Sequence, residues 1–217
     1  MTASGKSVLI AGATSAAGLA VTQALIGSGA RVFATGRSAE RLAPLADAGA
    51  QTEISDATSL EEMTELAARL GPVDGVLPLV GGWRGGGGLA GQSDDDLAAL
   101  LPAFAAVRAT SRAFDAALRA SDAGRFAIVS STAVARPLAG GANYASVKAA
   151  SETWARAVAQ GLSKAARDAG EPLRAASVVF RAKGALEPGL LASAVVGMWD
   201  TPAEDLNDRI VDLGPAA

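Results

Sequence analysis

The one tyrosine of this chain, Tyr144, lies four residues before Lys148, and Ser131 lies thirteen residues before Tyr144. On a helix, side chains four residues apart lie on the same face, one above the other. A phenol with a pKa of about 10 is a poor acid or base at neutral pH, but a neighbouring ammonium group stabilises the phenolate and lowers that pKa. Ser131 can donate a hydrogen bond to a carbonyl oxygen. Ser131, Tyr144 and Lys148 are therefore candidate catalytic residues, although this tyrosine–lysine spacing also occurs by chance in helices.

A stretch of small residues, GATSAAG, follows the first predicted strand and opens the first predicted helix. Glycine lets the backbone turn tightly and approach a ligand closely, and a helix N-terminus offers unpaired N–H groups to a phosphate. The pattern predicts a dinucleotide pyrophosphate site, but small residues at such a turn also serve close packing. The candidate contacts here are Gly12, Thr14, Ser15, Ala17 and Gly18.

Three later turns also follow predicted strands and could contact a dinucleotide. An acidic residue at the end of the second strand selects NAD, but this edge carries Arg37, whose guanidinium suits the 2′-phosphate of NADP. We expect NADP(H) to be preferred, with NAD(H) as the alternative, unless Arg37 is only a solvated surface residue. Asp56 and Ala57 follow the third strand and are placed to bind an adenine amino group. An aspartate that only caps a helix would give the same sequence pattern. Gly81 follows the fourth strand and is a further candidate contact. Tyr144 and Lys148 complete the candidate cofactor contacts, since Lys148 could also bind the nicotinamide ribose.

Apolar runs of strand length alternate with helical patterns along the whole chain. Continuous apolar strands separated by helices indicate a parallel sheet that is covered on both faces. We therefore predict one α/β domain over residues 1–217, a Rossmann-like doubly wound parallel sheet of about seven strands with helices on both faces. The predicted strands are 6–11, 31–35, 51–54, 73–80, 125–130, 173–180 and 209–213. The predicted helices run to residue 29 after the GATSAAG turn, and over 38–47, 58–70, 94–120 and 143–168.

The composition excludes several classes of chemistry. The chain has no Cys and no His, which excludes disulfides, thiolate nucleophiles and imidazole acid–base catalysis. The net charge of −3 offers no electrostatic footprint for nucleic acid or an anionic membrane. We predict no metal site. The N-terminal apolar run is too short for a signal peptide or a membrane span, so we expect a cytoplasmic protein.

Other conspicuous residues have less specific interpretations. A glycine-rich segment, 81–91, follows the fourth strand and is either a mobile loop beside the ligand or a plain connection. Its Trp83 could stack on a flat ring or fill the core. Trp154 and Trp199 are expected to pack within helical segments. Asp94 to Asp96 stand at a helix start, where carboxylates complement the helix dipole, rather than forming a metal cluster.

Five motifs, GATSAAG, TGR, SDAT, IVSSTA and NYASVKAA, resemble in order and spacing the short-chain dehydrogenase/reductase family, from Lys6 to about Val179. The resemblance implies a seven-stranded Rossmann-type fold, NAD(P) and a Ser–Tyr–Lys catalytic core. It makes Ser131 the residue that polarises a carbonyl, Tyr144 the acid–base and Lys148 its activator. It also implies assembly into a homodimer or homotetramer through two long helices, the fourth and the fifth. The implied cofactor contacts are Gly12, Ser15 and Gly18 for the phosphates, Arg37 for the 2′-phosphate and Asp56 for the adenine.

The sequence departs from the family pattern at three places. The Asn-Asn-Ala-Gly usual after strand four reads Pro-Leu-Val-Gly at 78–81, and the usual asparagine of helix four falls near Phe104. The Pro-Gly usual after strand six is expected at Phe180 and Arg181, where Arg181 would either bind an anionic substrate group or fill the nicotinamide space. The segment VGGWRGG, 80–86, resembles the strand-four loop of quinonoid dihydropteridine reductases.

Three functions are compatible with these residues. The first is an NADP(H)-dependent oxidoreductase that reduces a carbonyl or imine group of a small molecule, with Tyr144 as proton donor. The second is a non-catalytic dinucleotide-binding protein, suggested by Phe104, Phe180 and Arg181. The third is a non-redox cyclase or isomerase that uses Tyr144. Because Ser131, Tyr144 and Lys148 are all present, the first function is favoured.

Overall fold

A computed structural model describes residues 3–214, so the ends of the predicted domain, 1–2 and 215–217, lie outside the described residues. Seven parallel strands form one sheet in the order β3-β2-β1-β4-β5-β6-β7. The strands are β1 Ser7–Ala11, β2 Arg31–Gly36, β3 Gln51–Ile54, β4 Gly75–Pro78, β5 Arg125–Ser131, β6 Ala176–Ala182 and β7 Arg209–Leu213. The helices are α1 Ala16–Gly27, α2 Ala39–Asp47, α3 Leu60–Leu70, α4 Asp94–Ala120, α5 Ala142–Ala169, α6 Pro188–Gly197 and α7 Ala203–Leu206. The predicted fold class is confirmed.

The two faces of the sheet are covered by different helices because side chains alternate along each strand. Val8 and Ile10 of β1 belong to a core cluster with residues of α1, α2 and α6. Leu9 and Ala11 belong to the opposite cluster, with residues of α3, α4 and α5. Helix α4 is long and apolar enough to cross a membrane, but the core helices of soluble proteins can meet the same criterion. In this structure α4 packs against α3, α5, β4 and β5.

The strand order reverses between β1 and β4, which lie side by side with Ala11 opposite Pro78. In a doubly wound sheet, the crevice outside the carboxyl ends of the strands at this reversal is where ligands bind. The turns after β1, β2, β3 and β4 all open there. The fold therefore brings the predicted cofactor turns to one edge of the sheet.

The sixth strand was predicted with the wrong bounds. The structure has β6 over Ala176–Ala182, hydrogen-bonded to β5 as far as the pair Ser131 and Ala182. Phe180 and Arg181 thus lie inside β6, and the residues that follow the strand are Lys183 and Gly184. A charged residue near the end of an apolar run suggests that the strand has stopped; here the charge of Arg181 is neutralised by a buried carboxylate, so the strand continues.

Two smaller predictions were also wrong. Strand β4 is shorter than predicted, with Val73 and Val80 outside it. Trp199 lies in the turn after α6 rather than in a helix, and its Nε1 donates to the carbonyl of Ala123, 2.9 Å away. Trp154 lies on α5, as predicted, with the ring of Phe104 edge-on at 6.1 Å.

Candidate active site

The three predicted catalytic residues meet at the carboxyl end of β5. Tyr144 lies in the first turn of α5, and the Nζ of Lys148 is 5.8 Å from the centroid of its ring. Lys148 Nζ donates to the carbonyl oxygen of Val129, 2.8 Å away. Ser131 is buried at the end of β5, forms a hydrogen bond with Tyr144, and accepts one from the N–H of Ala133 at 3.1 Å.

Burial shifts the pKa of Tyr144 and that of Lys148 in opposite directions. Desolvation raises the pKa of Tyr144, opposed by its hydrogen bond with Ser131. Desolvation lowers the pKa of Lys148 to about 8, opposed by the negative charge of Glu152. At neutral pH the phenol therefore keeps its proton, and the ammonium beside it keeps its charge.

A buried carboxylate behind Lys148 was missed by the sequence analysis. Glu152 is 5% exposed. Its Oε1 accepts from Ser130 Oγ at 2.6 Å and from Arg181 Nε at 2.8 Å, and its Oε2 accepts from Arg181 Nη2 at 2.6 Å. Glu152 follows Lys148 by four residues, so the same helical spacing that relates Tyr144 to Lys148 could have revealed it.

This ion pair removes both roles that were expected for Arg181. Its guanidinium is paired with Glu152. It is therefore not available to bind an anionic substrate group, and it does not fill the space expected for the nicotinamide. Phe180 is 2% exposed and packs in the core with α1 and α6. Of the three residues that suggested a non-catalytic protein, Phe104 alone remains an argument.

The Glu152–Arg181 pair gives a stability prediction. Arg181→Met should lower the free energy of unfolding by about 3 kcal/mol, because it leaves the Glu152 carboxylate buried and unpaired. The matched control is Arg119→Met, which breaks an exposed pair with Asp115 and should cost less than about 1 kcal/mol. Urea unfolding at pH 7 measures both, and equal losses would contradict the prediction. Glu152→Leu combined with Arg181→Met should recover most of the loss, since no charge is then left buried.

A cavity of about 500 Å³ lies at the β1–β4 reversal, and we call it the cofactor cavity. Seven of the predicted cofactor residues line it: Gly12, Thr14, Ser15, Arg37, Asp56, Ala57 and Gly81. The turn after β1 requires glycine at position 12, for its backbone angle and for the close approach of Val80. Gly12 has a φ of +78°, and a Cβ there would come within 2.5 Å of Val80 Cγ2. The N-terminus of α1, capped by Ser15 Oγ, opens beside it.

Gly18 is outside this cavity and has a packing role. A Cβ at Gly18 would lie 1.9 Å from the carbonyl oxygen of Ala13, so glycine lets α1 pack closely against the turn. Asp56 lines the cavity, but its Oδ1 accepts from the N–H and hydroxyl of Thr58, as in a helix-capping turn.

A second arginine beside Arg37 was also missed. Arg41, in the first turn of α2, lines the cofactor cavity and donates from Nη2 to the carbonyl of Thr14 at 3.3 Å. Arg41 follows Arg37 by only four residues, so its closeness in the sequence could have drawn attention to it. Together they place two positive charges at the end of β2.

Two further cavities lie beyond the cofactor cavity, and each shares lining residues with the one before it. A middle cavity of about 370 Å³ shares Ser15, Val80 and Gly81 with it and is also lined by Ala17, Tyr144 and Lys148. A large cavity of about 980 Å³ shares Tyr144 and Trp83 with the middle one and also contains Ser131. Tyr144 therefore lies at the junction between the cofactor side and an open pocket. Trp83 is 61% exposed, so it lines these cavities and does not fill the core.

The residues at the start of α4 form a helix terminus. Ser93 caps the helix by accepting from the N–H of Asp96, and Asp94 to Asp96 occupy the first turn. Within residues 3–214, no group of three or more acidic side chains is arranged to hold a metal ion.

Comparisons of the sequence and of the structure with known proteins both find short chain dehydrogenases. A family model for short chain dehydrogenases matches residues 6–166. The short chain dehydrogenase from Shigella flexneri has a TM-score of 0.85 and 19% identity, over 100% of this chain and 94% of that one. A short-chain type dehydrogenase/reductase from Mycobacterium ulcerans gives 0.82 and 16%, over 98% and 89%. A protein described as a short chain dehydrogenase, from Shigella flexneri 2a and complexed with NADP, gives 0.84 and 19%, over 98% of each chain. No curated protein matches the sequence significantly.

Proposed function

Because the chain belongs to the short chain dehydrogenase family, we propose that it is an NADP(H)-dependent reductase of a carbonyl or imine group in a small molecule, with Tyr144 as the proton donor. The observation that carries the proposal is the position of Tyr144, which lines both the middle and the large cavity and has Ser131 and Lys148 beside it. NADP in the Shigella complex supports the choice of cofactor.

The protein's part in the reaction is to position the substrate and to supply a proton. When bound, the reduced nicotinamide supplies the hydride. Ser131 donates a hydrogen bond to the substrate oxygen or nitrogen, and Tyr144 Oη transfers its proton to the same atom. The ammonium of Lys148, fixed by the carbonyl of Val129, stabilises the phenolate that is left. Glu152 holds a negative charge behind Lys148 and favours its protonated form.

The direct test is oxidation of NADPH with a panel of aldehydes, ketones and imines. The panel includes a quinonoid dihydropterin, because the 80–86 segment resembles the corresponding loop of dihydropteridine reductases and Trp83 offers an exposed flat ring at the pocket. Turnover that depends on Tyr144 would support the proposal. Tight NADPH binding with no turnover on any of these compounds would favour the non-catalytic or non-redox alternatives.

Cofactor selection gives a prediction on Arg37 and Arg41. We expect Arg37→Ala with Arg41→Ala to weaken NADPH binding about 100-fold, since each guanidinium can form a charge-assisted hydrogen bond to the 2′-phosphate. NADH binding should change by less than about 3-fold, because NADH lacks that phosphate. Titration followed by nicotinamide fluorescence measures both. Arg167→Ala, at an exposed arginine of α5, is the control. An equal loss for the two cofactors would refute the assignment of these arginines.

Assembly into a homodimer or homotetramer and a cytoplasmic location stay predictions. We propose α4 and α5 as the pairing surface. On this face Arg108 lies over the rings of Phe104 and Trp154, and Leu101 is 47% exposed. Sedimentation of the purified protein would show the oligomeric state.

A further inference from the structure

The large cavity is the pocket into which Tyr144 opens on the side away from the cofactor cavity. Its volume of about 980 Å³ is at the upper end for small-molecule pockets. Apolar side chains provide most of its walls, among them Trp83, Leu138, Ala133 and Ala185. Leu138 is 73% exposed, so the pocket presents apolar surface to solvent. A molecule with an apolar body would bury this surface.

The charged residues of this pocket all have one sign. Arg136 and Lys183 line it, and none of the described residues that line it is acidic. Both cations are exposed, and neither has a hydrogen-bond or ion-pair partner within residues 3–214. They come from neighbouring strand ends: Arg136 follows β5, and Lys183 directly follows Ala182, which pairs with Ser131 at the end of β5.

Several other cations of the chain have partners, unlike this pair. Arg181, Arg156, Arg174, Arg119 and Arg69 each form an ion pair with a carboxylate. Buried Arg125 donates to four backbone carbonyls. Arg136 and Lys183 keep two unpaired positive charges at an apolar cavity, in a chain whose net charge is −3. A cleft lined by charges of one sign concentrates molecules of the opposite sign.

We propose that the substrate of this pocket is an apolar organic molecule that carries an anionic group, a carboxylate or a phosphate, and that Arg136 and Lys183 bind this group. The inference rests on the proposed function, in which Tyr144 and Ser131 face the reacting carbonyl or imine. The apolar body then lies against Trp83 and Leu138. The anionic group of the substrate is bound at the loops after β5 and β6, outside the buried catalytic residues.

The deciding measurement is binding of a matched, unreactive pair of probes, 2-naphthoate and its neutral analogue 2-naphthamide, to the protein saturated with oxidised cofactor. Calorimetry should give at least about 10-fold tighter binding of naphthoate, since a charge-assisted hydrogen bond contributes about 1.5–3 kcal/mol. Arg136→Gln with Lys183→Gln should abolish that preference and leave naphthamide binding within about 2-fold. Arg167→Gln, at an exposed arginine away from the cavity, should leave the preference intact. Added salt should weaken naphthoate binding only.

Turnover is measured separately, so that the proposed function and this inference can fail independently. The pair is 4-carboxybenzaldehyde and its methyl ester, with NADPH. If both are reduced through Tyr144 but naphthoate and naphthamide bind equally, the anionic substrate is refuted and the reductase stands. If neither is reduced but naphthoate binding depends on Arg136 and Lys183, the anion site stands. Naphthoate binding that is unchanged in the double variant would overturn the inference whatever the turnover.

Discussion

Replacing Tyr144 by phenylalanine should lower kcat/KM for carbonyl reduction by about 1000-fold and leave the affinity for NADPH within about 2-fold. The substitution removes a single oxygen, which is the proposed proton donor. The ring keeps its packing against Leu100, Ala103 and Val147, so the fold should be unaffected. NADPH oxidation and fluorescence titration of the same preparations measure the two effects.

The matched control is Ser131→Ala, which removes the hydrogen bond to the substrate and leaves the phenol in place. Its loss should be smaller than that of Tyr144→Phe, about 100-fold, because a hydrogen-bond donor is removed but the proton donor is kept. Full activity of Tyr144→Phe would show that the proton comes from another group. A large loss of NADPH affinity would instead make Tyr144 mainly a binding residue.

Elements with purely local signals were predictable from the sequence. The bounds of α4 agree residue for residue, because Ser93 supplies a helix cap and an acidic first turn follows it. The bounds of β3 and β7 are also correct, and each strand is followed by turn residues, Ser55 and Asp56 after β3 and Gly214 after β7. The continuous apolar runs were enough to predict the parallel sheet, because such strands are buried on both faces.

The end of β6 was not predictable from local pattern. Arg181 is a charged residue in a strand, and its partner Glu152 lies 29 residues earlier on α5. The two meet only because α5 packs on the sheet over β5 and β6. A wrong strand end then placed Phe180 and Arg181 beside the cofactor and suggested a blocked pocket.

The candidate site also combines residues that have a local sequence signal with residues that have none. Ser131, Tyr144 and Lys148 stand out by chemistry and spacing along the chain. Arg136 and Lys183 are 47 residues apart in the sequence, and their common cavity depends on the pairing of β5 with β6. Sequence patterns therefore indicate which residues can do chemistry, whereas the residues proposed to bind the anionic group of the substrate are brought together only by contacts between distant loops.

Lys148→Met should have opposite effects on activity and on stability. Activity should fall by about 100-fold or more, since the phenolate of Tyr144 loses its neighbouring positive charge. The free energy of unfolding at pH 7 should rise by about 1–2 kcal/mol. Desolvation lowers the pKa of Lys148 from 10.5 to about 8, so the folded protein carries a cost of about 3 kcal/mol for keeping the ammonium charged. The lost hydrogen bond to Val129 offsets about 1 kcal/mol of that gain.

The pH dependence identifies the cause of this stabilisation. The cost is present in full below pH 8, where Lys148 is protonated in both states, and it disappears as the pH rises toward 10.5, because the folded protein then releases its proton first. The stability of the wild type should therefore increase relative to Lys148→Met between pH 8 and 10, while kcat/KM falls above about pH 8. Lys164→Met, at an exposed lysine of the same helix, is the control and should change neither quantity. Parallel stability curves for the wild type and Lys148→Met would mean that Lys148 is hydrated, and its pKa would then be close to the ordinary value.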